Sequence, residues 1–246
     1  MKSKRNLVLF MICILSITSC NNGTKSPSLS TNLKDEGWLK IDTITYRSDS
    51  WDIANKSSSW KVSFDKKLTI SKFEDTLNTV RFKIGNGYLE GSDHGEWGGS
   101  LIFYSDNDLS KKTNIIEGGN IISIFEFNKN LYALEGTSHL GYSVGKLISL
   151  SQIAGIWKYK IILDLKDKPF AYSIINDEFV YIVTNKSLMK INKELESEII
   201  IGNAFWESLY PNSLVIVNSN AIIGMRGLIA TVDLVTKKVS AFEKDF

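Results

Sequence analysis

The side chains best suited to proton transfer near neutral pH are the chain's only two histidines, His94 and His139. Two carboxylates, Asp93 and Glu96, stand beside the first histidine. A histidine next to a carboxylate can act as a general acid–base pair, which makes His94, His139 and Glu96 the catalytic candidates. Two histidines with carboxylates can also bind zinc, but no spacing here demands it, and we predict neither a metal nor a cofactor. The alternative role is structural, with both histidines buried and hydrogen-bonded to neighbouring backbone.

Short runs rich in Ile, Val, Phe, Tyr and Thr must position these residues. The runs alternate with polar residues and are bounded by Gly, Asn and Asp, which is the pattern of β-strands. They lie at Thr79–Ile84, Ser100–Tyr104, Ile121–Phe127, Lys146–Leu150, Lys158–Leu163, Phe179–Thr184 and Leu214–Asn218. No stretch of helical length keeps a 3.6-residue period, so we expect an all-β body with little helix after residue 34.

The runs recur as a set. One segment type appears four times, at Asn86–His94, Asn130–His139, Phe179–Thr184 and Ala221–Met225, and each copy is followed by two further strand-like runs. A period of roughly 40–50 residues with four short strands is the signature of a propeller blade. The body therefore resembles β-propeller proteins over residues 76–246, with four legible blades. Residues 38–75 could form a degenerate fifth blade or a strand that closes the ring; the alternative architecture is a stack of hairpins in a sandwich or open sheet.

This resemblance implies that one face of the body carries the distinctive side chains. If the strands of a blade are lettered a to d from the centre outward, the b–c and d–a turns lie on the same face. The b–c turns would be 92–98, 137–144 and the surroundings of Asn185 and Arg226, and the d–a turns would include 166–170 and 205–212. These turns hold the predicted binding face: Asp93, His94, Glu96, Trp97, His139, Trp206, Glu207, Tyr210, Asn212 and Arg226. Trp, Tyr and Arg are favoured as interface anchors.

Structural roles are open for several of these residues. Trp97 and Trp206 could be packing residues that cap the inner ends of strands. Arg226 could form an ion pair with Glu96 or Glu207 and hold adjacent blades in register.

The N-terminus points to export and a membrane anchor. Lys2, Lys4 and Arg5 precede an apolar run over residues 7–15, and small residues then lead to Cys20. That order is typical of a secretory signal, and it resembles the lipobox of bacterial lipoproteins. The resemblance implies a signal peptide at 1–19, a lipidated Cys20 with a flexible tether at 20–34, and the propeller-like domain at 35–246. An ordinary signal peptide that ends near a cysteine is the alternative. In a Gram-negative cell the non-acidic residues after Cys20 would favour the inner leaflet of the outer membrane.

Cleavage would change the charge of the chain. The full sequence has 29 basic and 27 acidic residues; loss of residues 1–19 removes three basic and no acidic ones, which leaves 26 and 27, a net charge of −1. Nucleic-acid binding would need a basic patch or stripe, and we predict none. Cys13 lies in the signal, so the exported body would have no disulfide and would depend on burial for stability.

The function predicted first is therefore binding. A membrane-anchored envelope protein would bind a protein, peptide or glycan partner at the predicted face, for example as an inhibitor or immunity factor. The alternative is an envelope hydrolase or lyase that uses the histidines and carboxylates near the propeller axis, and the third is a structural assembly component. The sequence has no His-Glu-x-x-His zinc motif and no phosphate-binding Gly-x-x-x-x-Gly-Lys loop.

Overall fold

The computed structural model describes residues 33–42, 44–74 and 79–244. Cys20 and the predicted signal and tether up to residue 32 lie outside these ranges. The first part of the chain forms β1 (Trp38–Ile41), α1 (Asp49–Lys56), β2 (Ser59–Phe64) and β3 (Leu68–Phe73). The remainder forms β4 (Thr79–Ile84), β5 (Gly87–Asp93), a 3-10 turn (Gly95–Trp97), β6 (Gly99–Ser105), β7 (Asp108–Glu117), β8 (Ile121–Phe127), β9 (Asn130–His139), β10 (Tyr142–Ile153), β11 (Ile156–Asp164), β12 (Pro169–Ile175), β13 (Phe179–Thr184), β14 (Leu188–Asn192), β15 (Ser197–Ile201), β16 (Ser213–Val217), β17 (Asn220–Gly224), β18 (Leu228–Asp233) and β19 (Val239–Lys244).

The strands form repeated antiparallel sheets in chain order. Blade 1 is β4–β7, blade 2 is β8–β11, blade 3 is β12–β15 and blade 4 is β16–β19. Strands β2 and β3 form a separate hairpin. The protein is thus all-β and β-propeller-like, as the sequence repeat predicts, and each predicted run falls within a strand or overlaps it to within a residue.

The blades pack face to face through their apolar side chains. Successive inner strands are in contact, from β4 to β8, β12, β16 and then β2. Each interface has its own buried cluster. Leu89 and Ile148 lie between blades 1 and 2, Leu134 and Ile182 between blades 2 and 3, and Val183 with its neighbours between blades 3 and 4. Burial on both faces of a sheet explains why the middle strands β13 and β18 read as nearly continuous apolar runs.

Residues 38–75 form an added edge strand and a separate hairpin, which fits the predicted degenerate fifth blade. Strand β1 adds to the outer edge of blade 4 by antiparallel pairing with β19, from Trp38 opposite Lys244 to Ile41 opposite Ala241. The β2–β3 hairpin packs against blade 4 as an incomplete fifth unit.

The segment also contains a helix that strand patterns did not reveal. Helix α1 begins after Ser48, whose side chain accepts a hydrogen bond from the Trp51 N–H at 3.3 Å. Only Trp51 and Ala54 are buried in its eight residues, too few to show a helical period. No helix in the described ranges is both long and apolar enough to cross a membrane.

The β9–β10 connection differs from the predicted turn at 137–144. Both strands continue to His139 and Tyr142, which pair with each other, and only Leu140 and Gly141 form the turn. These two residues have φ of 47° and 84°, the positive values that a two-residue hairpin turn of type I′ requires. The polar residues around Ser138 and Ser143 are therefore strand residues near a hairpin tip, where the pattern of burial is weak.

Candidate functional site

A cavity of about 350 Å³ opens at the end of the propeller axis where the inner strands begin, which we call the upper end. The first residues of the inner strands or the residues just before them line this axial cavity: Ser59 of β2, Thr79 of β4, Ile121 of β8, Phe170 of β12 and Asn212 before β16. The b–c connections add Asp93 and Arg226, and the d–a connections add Lys168, Tyr210 and Pro211. Elements far apart in sequence thus meet because each inner strand starts at the same end of the axis.

The charged groups of the axial cavity are not balanced. Lys168 forms a half-buried ion pair with Asp93 at 2.8 Å. The Arg226 guanidinium lies over the Tyr210 ring, 4.1 Å from its centroid, and Arg226 Nη1 donates to Asn55 Oδ1 at 3.2 Å. Within the described ranges no carboxylate forms an ion pair with Arg226. The described lining therefore carries one net positive charge, on Arg226.

An amide group borders the same cavity. Asn212 Oδ1 accepts a hydrogen bond from Ser213 Oγ at 2.9 Å, whereas Asn212 Nδ2 is buried and has no partner among the described residues. Buried polar groups nearly always have a partner, so each exception calls for an explanation. Phe170 and Tyr210 stand edge to face with ring centroids 6.0 Å apart and form the aromatic wall.

Lys168 is held in place by a hydrogen-bonded connection. The hydroxyl of Ser143 donates to the buried carboxylate of Asp167 and accepts from the Lys168 backbone N–H at 2.9 Å. Thr184 Oγ1 donates to the same carboxylate at 3.3 Å. A side chain at Gly145 would lie 2.1 Å from the Asp167 carbonyl oxygen, so the close approach of strand and connection requires glycine there.

Ser143 also lies in a nucleophile-elbow pattern, Gly-x-Ser-x-Gly, from Gly141 to Gly145. In the α/β-hydrolases this serine sits on a sharp turn between a strand and a helix. Here it sits within β10, and its hydroxyl is engaged by Asp167 and Lys168. Ser143 therefore helps to position Lys168 and does not sit on the sharp turn of a nucleophile elbow.

The two histidines are on the predicted face, but they are not buried. His139 Nε2 lies 3.0 Å from Glu96 Oε2, and both side chains are nearly half exposed. His94 is exposed as well, and its backbone N–H donates to Asn120 Oδ1 at 3.1 Å. The buried structural role for the histidines is wrong, because the 3-10 turn and the hairpin tip project from the body. Neither histidine nor Glu96 lines the axial cavity. No group of three His, Cys, Asp or Glu side chains in the described ranges could hold a metal ion.

Trp206 is the clearest correction to the predicted face. Its side chain is fully buried among the residues between blades 3 and 4, and its indole Nε1 donates to the Thr184 carbonyl at 3.2 Å. It is a packing residue and not a surface anchor. Trp97, in contrast, is 84% exposed.

The partners predicted for Arg226 are also wrong. Glu96 pairs with His139, and Glu207 pairs with Lys186 at 3.1 Å. The hydrogen bond that Lys186 donates to the Glu207 carboxylate raises the pKa of Lys186. The Glu207 carbonyl accepts from Trp51 Nε1 at 3.0 Å, so Glu207 fastens α1 to the d–a connection.

Sequence reasoning did not single out Lys168, Phe170 or Asn55. A signal for the first two was present, because Lys168-Pro169-Phe170 and Tyr210-Pro211-Asn212 each place proline between two cavity residues. Proline suits the first residue of a strand, where no ladder hydrogen bond is lost. Asn55 had no such signal, because its position depends on how α1 packs.

Comparisons with known proteins identify no family. No family model and no curated protein sequence match the chain. A streptogramin B lyase structure matches with a TM-score of 0.44 and 12% identity, over 85% of this chain and 74% of that one. The nidogen/laminin complex matches with a TM-score of 0.41 and 10% identity over 65% of this chain, which spans 60% of that one. Dihydro-heme d1 dehydrogenase NirN matches with a TM-score of 0.43 and 10% identity, over 77% of this chain and 43% of that one. All identities are low, so the fold rests on the strand order itself.

Proposed function

We propose that this chain is a lipid-anchored envelope protein whose propeller-like domain binds a protein or peptide partner, or a glycan, at the axial cavity. The observation that carries the proposal is Arg226, a cavity cation without a carboxylate partner among the described residues. Arg226 is half-buried, and an opposite charge offsets the cost of withdrawing a charged group partly from water. A partner with an acidic group would supply the missing charge.

The cavity favours binding over the alternative enzyme function. An acid–base site needs its groups within reach of one bound substrate. The His139–Glu96 pair is exposed at the hairpin tip and outside the cavity lining, and the Asp93 carboxylate is paired with Lys168. The other polar side chains of the described lining are the Arg226 guanidinium, the Asn212 amide and the hydroxyls of Ser59, Thr79 and Tyr210. These groups can hold a ligand by hydrogen bonds.

The anchor part of the proposal rests on the sequence alone. The small residues before Cys20 and the charged start are typical of a lipobox signal. Cells grown with an alkyne-tagged fatty acid should label the wild-type chain and leave Cys20→Ala unlabelled. Equal labelling of both chains would overturn the lipid anchor, and it would leave the binding proposal intact.

Photo-crosslinking in cells tests the binding face. We would introduce p-benzoylphenylalanine at Trp97 on the upper face, and at Val235 in the β18–β19 turn at the opposite end as the matched control. Both positions are strongly exposed, at 84% and 79%, so neither substitution disturbs packing. We expect a defined crosslinked partner from position 97 and none from position 235. Crosslinks of equal yield from the two positions, or none from either, would contradict the proposal.

A further inference from the structure

We infer that the axial cavity binds a free carboxylate carried by an apolar end group, as found at the C-terminus of a peptide. This inference rests on the proposed function and names the ligand class of the same site. It follows from three features of the cavity: the donors of Arg226, the neutralisation of Lys168, and the aliphatic floor.

Arg226 is arranged to bind a planar anion. A guanidinium has five N–H donors in a rigid fork that matches the two oxygens of a carboxylate. Among the described residues only one hydrogen bond uses these donors, from Nη1 to Asn55 Oδ1. The Tyr210 ring, whose centroid lies 4.1 Å from Arg226 Cζ, contacts the group as a cation–π partner and supplies no oxygen acceptor for these donors. The remaining N–H groups can therefore form the paired bonds to a carboxylate that are stronger than bonds between neutral groups.

The other polar groups favour a single negative charge. Lys168 is already neutralised by Asp93 at 2.8 Å, so the described lining offers one unmatched cation. Asn212 borders the cavity, and its buried Nδ2 has no partner among the described residues, so a ligand oxygen would give it an acceptor once the side chain turns. A monoanion satisfies both groups, whereas a dianion such as phosphate would bring an extra charge beside Asp93.

The floor of the cavity fits an aliphatic side chain better than a sugar. Val80, Ile121, Ile122 and Pro211 line it. The rings that a sugar would stack on are partly used, because Arg226 covers Tyr210 and Lys168 lies over Phe170 at 5.5 Å. A volume of about 350 Å³ is near the lower end of the range for small-ligand sites and suits a chain end.

Fluorescence anisotropy with the full-length protein in lipid nanodiscs tests this inference. The probes are fluorescein-labelled pentapeptides that end in Leu, with either a free carboxylate or a C-terminal amide. We expect binding of the free carboxylate and at least about tenfold weaker binding of the amide, since hydrogen bonds to charged groups have this magnitude. Arg226→Gln should weaken binding of the free-carboxylate peptide by about 10- to 100-fold. Arg226→Lys should weaken this binding less, because lysine keeps the positive charge and loses only the forked donor geometry.

Lys129→Gln is the matched control, because it removes one positive charge from the exposed β8–β9 turn. It should leave peptide affinity unchanged. Melting temperatures of all variants exclude unfolding as the cause of a loss. Equal affinity for acid and amide, or normal affinity in Arg226→Gln, would overturn the inference. Binding of glucuronate without binding of the peptides would overturn the inference and favour an acidic glycan as the ligand. If a partner is crosslinked at position 97 but the peptides bind without preference for the free carboxylate, only this inference is overturned. If no partner is crosslinked at position 97, the proposed function is overturned.

Discussion

Replacing Trp206 by alanine should lower the free energy of unfolding by about 3–5 kcal/mol, the range for truncating a large buried aromatic side chain. The structure supports the full range, because no part of Trp206 is exposed and its ring packs between blades 3 and 4. The indole also donates to the Thr184 carbonyl at 3.2 Å. Trp206→Phe keeps most of the ring and removes this donor, so its cost should be smaller, about 1–3 kcal/mol.

Trp97→Ala provides the matched control for this prediction. The same residue type is 84% exposed at position 97, and its removal should change stability by no more than about 0.5 kcal/mol. Urea unfolding of the detergent-solubilised protein, followed by the circular dichroism of the strands, measures all three variants without relying on tryptophan fluorescence. Equal costs at positions 97 and 206 would refute the burial of Trp206 and the register of the connection between blades 3 and 4.

Three further perturbations test the connections of the upper face and one exposed turn. Gly145→Ala should lower the melting temperature, because the new Cβ would lie 2.1 Å from a backbone oxygen, whereas Gly85→Ala, with nothing within 4 Å, should not. Asn120→Ala should cost about 1–3 kcal/mol in urea unfolding, since the buried Asn120 side chain donates to the Gly95 carbonyl at 2.6 Å and accepts from a backbone N–H at 3.1 Å; a cost near zero would contradict its role in fixing the 3-10 turn. Asp233 accepts backbone N–H groups of the following turn, which lowers the pKa of its carboxyl below the unfolded value. The ionised form therefore stabilises the fold at neutral pH, and Asp233→Asn should melt at a lower temperature than the wild type there. This difference should disappear as the pH falls below about 4 and through the lowered pKa of Asp233. A difference in melting temperature that persists in acid would contradict this.

The strands and their grouping into blades could be predicted because each depends on local pattern. The runs Thr79–Ile84, Ile121–Phe127 and Phe179–Thr184 coincide with β4, β8 and β13. Alternation and β-branched residues determine a strand over a few positions, and the repeat then fixes which strands share a blade. Helix α1 was not predictable in this way, because it buries only Trp51 and Ala54.

The sequence by itself indicated that connections at one end of the strands hold both histidines, Arg226 and several Trp and Tyr residues, since the order of strands in a blade decides which turns share a face. It did not determine which of these side chains face solvent. Trp97 and Trp206 occupy similar connections, yet one projects on a 3-10 turn and the other fills the space between two blades. Burial, the pairing of Asp93 with Lys168 and the lack of a carboxylate partner for Arg226 among the described residues depend on contacts between residues far apart in the chain. Only the packing of blades around the axis decides these contacts, because a side chain's partners come from neighbouring sheets and not from its own segment.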